Sequence, residues 1–197
     1  MVERVLYPLK EWSPDQFSFT TPVPDTEIEL NATQSLEVEW LSNGEAVADG
    51  SSVVFETTRG VFTQSGSSTA TVTTIGGTAT VEISSTNVGP ASVTARSNTA
   101  NGPSAQRTFE FVSTTPTQLN LQADKTQIGQ NESAVILATV RDANNNLVKN
   151  ATVNFALDDV TGGSLSAGSG ETNSQGQTQI TYTSSSVSSS LDGITVS

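Results

Sequence analysis

The chain has 197 residues, a length that suits one large domain or two small ones. It contains no cysteine and no histidine, which excludes disulfide bonds, the commonest zinc and copper ligands, and the most frequent general base of enzymes. The net charge of −12 repels phosphate groups, so we expect no nucleic-acid partner and no attraction to the anionic face of a cytoplasmic membrane.

The spacing of the apolar residues predicts an all-β fold. Only 34% of the residues are hydrophobic, and threonines alternate with Val, Ile and Ala in runs of strand length, as in a sheet with one solvated face. No run is long enough to span a membrane, so no direct membrane insertion is expected. Residues 1–6 lack the apolar core of a secretory signal. The chain is then either intracellular or a piece of a longer exported protein, and the repeat described next favours the piece.

Residues 1–14 come before the first clear pattern, and we interpret them as an N-terminal flank or the end of a preceding module. Trp12 in this flank offers the flat ring that a sugar-stacking site uses, although a lone aromatic residue is more often structural.

From residue 15 onwards the chain contains two copies of one unit, offset by about 100 residues. Ile28 corresponds to Ile128, and residues 53–55 correspond to residues 153–155. In each copy a glycine precedes the run with the clearest alternation, residues 77–83 and 176–182. Short strands with frequent turn signals predict a sandwich, so we expect one sandwich over 15–112, a linker over 113–116 and a second sandwich over 117–197.

The second copy is expected to lack its last strand. Two strands close the first copy, over residues 91–95 and 107–112, whereas only residues 193–196 remain to close the second. Such an edge is prone to pairing with another chain. We interpret the 197 residues as a window on a longer tandem array, with the proline of the linker limiting bending between modules.

These motifs resemble the bacterial immunoglobulin-like domain of group 1, the repeat of invasin- and intimin-type surface adhesins. The segments that carry the resemblance are 140–142 with the polar turn and 147–148, then 153–155, 172–176, and 85–95 of the first copy. Three asparagines replace the usual glycine of the hairpin, and the first copy lacks the aspartate, but both turns are compatible with a hairpin. The resemblance implies a module type and a bacterial surface context, and no reaction.

One polar turn is the candidate binding loop. Asp142, Asn144, Asn145 and Asn146 place oxygen-bearing side chains close together, as a calcium loop does, but the glycine and distal glutamate of such loops are missing. We therefore expect no cofactor, and calcium is the one ion that the turn leaves open. Asp158, on what we expect to be a neighbouring loop, is a further candidate residue.

The expected function is non-catalytic. No serine-hydrolase elbow is present, and histidine is absent. The leading hypothesis is a rigid stalk or spacer of a bacterial adhesin, outer membrane-anchored through other parts of the chain, or secreted, with neighbouring Ig-like modules as its partners. A host receptor or glycan held by the loops is the second hypothesis. An accessory domain of a secreted carbohydrate-active enzyme is the third.

Overall fold

A computed structural model describes residues 15–189 and 193–197, and all regular structure in these ranges is β. None of the described segments forms a helix with the length and apolar character to cross a membrane. The described residues divide into two compact units, one of residues 15–86 and 90–110, the other of residues 87–89, 111–189 and 193–197. The flank over 1–14, including Trp12, lies outside the described residues.

The first unit is built from ten strands within the described residues. They are β1 (Gln16–Thr21), β2 (Thr26–Glu29), β3 (Gln34–Ser42), β4 (Glu45–Ala46), β5 (Ser52–Thr57), β6 (Val61–Phe62), β7 (Thr69–Thr73), β8 (Thr78–Ser84), β9 (Gly89–Ser97) and β10 (Ser104–Val112).

Two sheets enclose the core of the first unit. One has the strand order β1-β3-β8-β6, with β4 paired to β3, and the other has the order β2-β10-β9-β5-β7. Alternate residues of each strand face the space between the sheets, so Leu36 and Val38 of β3 meet Val53 and Phe55 of β5 in full burial. Phe55 also makes an edge-to-face contact with Phe62, with ring centroids 6.2 Å apart.

The second unit contains eight strands within the described residues. They are β11 (Gln118–Ala123), β12 (Ser133–Arg141), β13 (Thr152–Asn154), β14 (Leu157–Asp159), β15 (Ser164–Leu165), β16 (Ser169–Glu171), β17 (Gln177–Thr183) and β18 (Ile194–Val196).

The second unit repeats the sheet order of the first. Its larger sheet has the order β11-β12-β17-β15, and its opposing strands pair as β13-β16 and β14-β18. Residues 152–155 alternate with the period of two of a strand, because Val153 and Phe155 are 5% and 7% exposed while their neighbours Thr152 and Asn154 face solvent. Ile136 pairs with Ile180 and both lie in the core, as Leu36 and Val81 do in the first unit.

The predicted all-β fold and the repeat are confirmed at the level of strand pairing. The β5–β9 pairing of the first unit reappears as β14–β18, and a mutual pair of backbone hydrogen bonds between Ala156 and Ser197 continues it. Among the described residues, the second unit has no counterpart of β10, in agreement with the sequence comparison.

Candidate functional site

The candidate loop forms a compact structure around one carboxylate, and we call residues 142–146 the Asp142 turn. Asp142 follows β12 and is 7% exposed. Its Oδ1 accepts the backbone N–H groups of Asn144 at 2.9 Å and Asn146 at 2.8 Å. Its Oδ2 accepts the side-chain amide of Asn146 at 3.0 Å and the hydroxyl of Ser113 at 2.8 Å. Both oxygens are therefore engaged by the protein itself.

The hydrogen bonds keep Asp142 charged in spite of its burial. Burial raises the pKa of the carboxyl, but bonds from the side chains of Asn146 and Ser113 and from the amides of Asn146 and Asn144 outweigh it, so the net pKa lies below the ordinary value. An ionised carboxylate with four donors is the stable form of this turn at neutral pH.

The backbone conformation of the turn explains why an asparagine is suitable at position 145. Asn145 adopts a left-handed conformation with φ of 67°, which asparagine tolerates better than most residues. Arg141 Nη1 donates to the carbonyl of Asn145 at 2.8 Å and braces the turn from the end of β12. Asn144 and Asn145 are exposed, whereas Asn146 is half-buried. The four predicted site residues are thus brought together, but only Asn144 and Asn145 present their side chains to solvent.

Two residues of the following loop attach the hairpin to the sheet. Thr172 is 2% exposed, and its hydroxyl accepts the N–H of Ala151 at 2.9 Å and donates to the carbonyl of Val148 at 2.7 Å. Gly176 accepts the N–H of Val140 at 2.8 Å and has φ of +64°. A Cβ on this glycine would lie 2.8 Å from the Val140 oxygen, so a side chain is sterically excluded.

The first unit has the same attachment. Thr74 is 1% exposed, accepts the N–H of Ser51 at 3.1 Å and donates to the carbonyl of Ala48 at 2.9 Å. Gly77 accepts the N–H of Trp40 at 2.8 Å, as Gly176 accepts that of Val140. We did not single out the two threonines from the sequence. The sequence pattern that could have identified them is a threonine a few residues before the turn glycine in both copies.

The other end of the second unit carries a second bonded carboxylate, Asp159, which the sequence placed with Asp158 on a neighbouring loop but which ends β14. Asp159 accepts the N–H and hydroxyl of Thr161 at 2.7 and 2.6 Å, the N–H of Gly163 at 2.8 Å and the hydroxyl of Tyr182 at 2.8 Å. Bonds from Thr161 above all lower the pKa of Asp159 to about 2, and burial together with Asp159 raises the pKa of Tyr182 to about 12. Asp158 lies in β14 opposite Thr195, so our expectation of a loop position was wrong.

The acidic residues do not converge on a cation site. In the part of the chain that the structure describes, no group of three or more aspartates or glutamates is placed to hold a metal ion. At the Asp142 turn the donors are backbone and side-chain N–H groups and a hydroxyl, and these occupy the carboxylate oxygens that a calcium ion would need.

Comparison with known families identifies the second unit. The family model for the bacterial Ig-like domain (group 1) matches residues 117–196. The second unit is therefore similar to this family over residues 117–196. This match confirms the predicted resemblance for the second copy, and the Asp142 turn, Thr172 and Gly176 all lie within the matched residues. Comparison with curated proteins gave no match.

Solved structures of adhesin fragments are among those similar to the chain. The D0-D1 domain of intimin is 22% identical, with 87% of this chain and 85% of that chain covered and a TM-score of 0.38. Invasin, described as a bacterial integrin-binding protein, is 18% identical over 87% of this chain and 34% of its own, with a TM-score of 0.42. The Escherichia coli adhesin FdeC is 18% identical over 87% and 55%, with a TM-score of 0.44.

Proposed function

We propose that this chain is a non-catalytic segment of tandem Ig-like modules from a bacterial cell-surface adhesin, in which it acts as a rigid spacer. The observation that supports the proposal is that both units attach their hairpin in the same way. Each unit is a sandwich whose hairpin is fixed by a buried threonine and a close-packed glycine, and the second unit matches a bacterial Ig-like family. Modules that can only be stacked in series give length and stiffness without a reaction.

The polar groups of the second unit support a structural role. Asp142 and Asp159 both have lowered pKa values, and each accepts hydrogen bonds from backbone N–H groups of its own turn. Carboxylates that serve as general acids or bases have a free oxygen within reach of a substrate and a pKa moved towards neutrality. These two have neither property, because their hydrogen bonds stabilise the charged form and hold the backbone of the turn.

The stiffness of the chain tests the spacer role directly. Since the protein has no cysteine, Thr80→Cys in β8 and Gln179→Cys in β17 would introduce two specific spin-label sites at exposed positions, one in each unit. We expect a narrow distribution of distances between the two labels in an electron-resonance measurement. A distribution as broad as that of two sandwiches on a flexible tether would contradict the spacer role.

A second candidate function is direct binding by the Asp142 turn. The exposed amides of Asn144 and Asn145 each offer a donor and an acceptor on a braced backbone, and such a preorganised pair suits a glycan or a protein receptor. The cell-surface location and any host partner belong to this proposal.

Binding to a glycan array and to host-type cells tests the second function. The variant Asn144→Ser/Asn145→Gly removes both exposed amides, and it keeps Asn146, which holds Asp142, while glycine accepts the positive φ. Asn120→Ser in β11 removes an exposed amide elsewhere in the same unit and is the matched control. Saturable binding that is lost only in the turn variant would establish a receptor site. Absence of binding by the unmodified chain would leave the spacer role alone.

A further inference from the structure

We propose that Ser113 and Asp142 form a clamp that fixes the segment entering the second unit to the hairpin of that unit, and that the stiffness of the tandem array is set there. The clamp deepens the spacer role and rests on it. Ser113 is 4% exposed, and its hydroxyl donates to Asp142 Oδ2 at 2.8 Å. A hydroxyl bonded to a buried carboxylate is a charge-assisted pair that exchanges poorly with water.

The clamp holds the backbone as well as the side chain. Ser113 forms an isolated parallel bridge with Val148, the residue whose carbonyl accepts the hydroxyl of Thr172. At the other end of the segment, the N–H of Thr117 donates to the carbonyl of Arg141 at 2.9 Å, one residue before the β11–β12 pairing begins. Residues 113–117 are therefore tied at both ends to the same hairpin, with Pro116 restricting the backbone between them.

The first unit supports the proposal independently. Position 42 corresponds to position 142, and there the chemistry is reversed, since Ser42 is the donor and Asp15 the acceptor at 2.8 Å. Asp15 also accepts the N–H of Asn43 at 3.2 Å. Asp15 directly precedes β1, whereas Ser113 lies five residues ahead of β11. The two contacts therefore differ in their distance from the first strand of the unit, although both attach the segment that enters it. In both units a serine–aspartate pair joins the entering segment to the hairpin.

Removal of the hydroxyl tests the clamp without touching the core. In Ser113→Ala the carboxylate keeps its three donors within the turn, so the hairpin is retained while the entering segment loses its side-chain attachment. We expect hydrogen–deuterium exchange at the backbone amides of Thr114, Thr115 and Thr117 in the full chain to accelerate at least tenfold, with unchanged exchange in β12 and β17. Ser113→Thr keeps a hydroxyl and should restore slow exchange, and Ser186→Ala, at an exposed serine of the same unit, is the neutral control.

Exchange in Ser113→Ala within about twofold of the unmodified chain would overturn the clamp. The exchange measurement tests the clamp, and the spin-label measurement tests the spacer role, so their outcomes can be told apart. A broad distance distribution in the unmodified chain, together with exchange that depends on Ser113, contradicts both the spacer role and the effect of the clamp on stiffness, and leaves only the attachment of residues 113–117 to the hairpin. A narrow distribution, together with exchange that is indifferent to Ser113, contradicts the clamp and leaves the spacer role. If both proposals hold, Ser113→Ala should also broaden the distance distribution.

Discussion

Replacement of Thr172 by valine should destabilise the second unit although it changes almost no volume. The Thr172 hydroxyl accepts the Ala151 N–H and donates to the Val148 carbonyl, and the residue is 2% exposed. Two lost hydrogen bonds cost about 1 kcal/mol each, and a buried amide left without an acceptor adds a desolvation penalty, so we expect a loss of about 2–3 kcal/mol. With a urea m-value of about 1 kcal/mol/M, the unfolding midpoint should fall by ~2–3 M.

The positions of the tryptophans allow the two units to be followed separately. The second unit contains no tryptophan, because Trp40 lies in β3 and Trp12 precedes residue 15. Trp40 fluorescence therefore follows the first unit, and circular dichroism follows both. Thr172→Val should lower the transition seen by circular dichroism and hydrogen exchange in the second unit and leave the tryptophan transition unchanged. Thr172→Ser retains the hydroxyl, and Thr195→Val changes an exposed threonine of β18. If Thr172→Val were as stable as Thr195→Val, the hydroxyl would not hold the hairpin.

Two further predictions concern the turn glycine and the pH dependence of the second unit. Gly176→Ala combines a positive φ with a Cβ 2.8 Å from the Val140 oxygen and should cost about 2–4 kcal/mol in urea unfolding, whereas Gly168→Ala, where a Cβ meets nothing within 4 Å, should be nearly neutral. Since the pKa of Asp159 falls from 3.8 to about 2 on folding, its contribution to stability is complete above pH 3.8 and is lost as the pH falls to about 2; Asp159→Asn should abolish this dependence. The pKa of Tyr182 rises from 10.0 to about 12, so its contribution to stability is complete below pH 10.0 and is lost by about pH 12. A Tyr182→Phe variant should lack the tyrosinate absorbance that develops near pH 12. Ionisation of Tyr182 near pH 10.0 would contradict the Asp159 contact.

The sequence was sufficient for the strands with clear alternation, because that signal is local, but not for β14, where Asp158 was expected on a loop. Period-two alternation in residues 153–155 and 177–183 depends only on which side chains face the core, and the structure buries Val153 and Ile180 as expected. The repeat is also present in the backbone hydrogen bonds. The N–H of Val47 donates to the carbonyl of Trp40, seven positions earlier, and the N–H of Val148 donates to the carbonyl of Val140, eight positions earlier. Repetition made these assignments secure, since two copies of a pattern constrain each other.

The chemistry of the turn could not be predicted because its partners are distant in sequence. Asp142 is bonded to Ser113, 29 residues away, and Thr172 to Val148, 24 residues away, so each role depends on the assembled sandwich. In a chain rich in serine and threonine, a buried hydroxyl looks the same as an exposed one. The asparagines suggested a ligand loop, but one of them, Asn146, serves the backbone and the carboxylate of the turn itself.

The bonds of Ser113 also determine how the second unit meets tension along the polypeptide. A pulling force applied from the N-terminal side of the second unit acts on the Ser113–Asp142 bond and the Ser113–Val148 bridge before it acts on the six residue pairs between β11 and β12. Release of the five residues 113–117 would free up to about 16 Å of contour length, at ~3.3 Å per residue, while the sandwich stays folded. On the proposed spacer role, each module boundary of this kind would supply a short reversible extension, and an array under shear would lengthen before any domain unfolds.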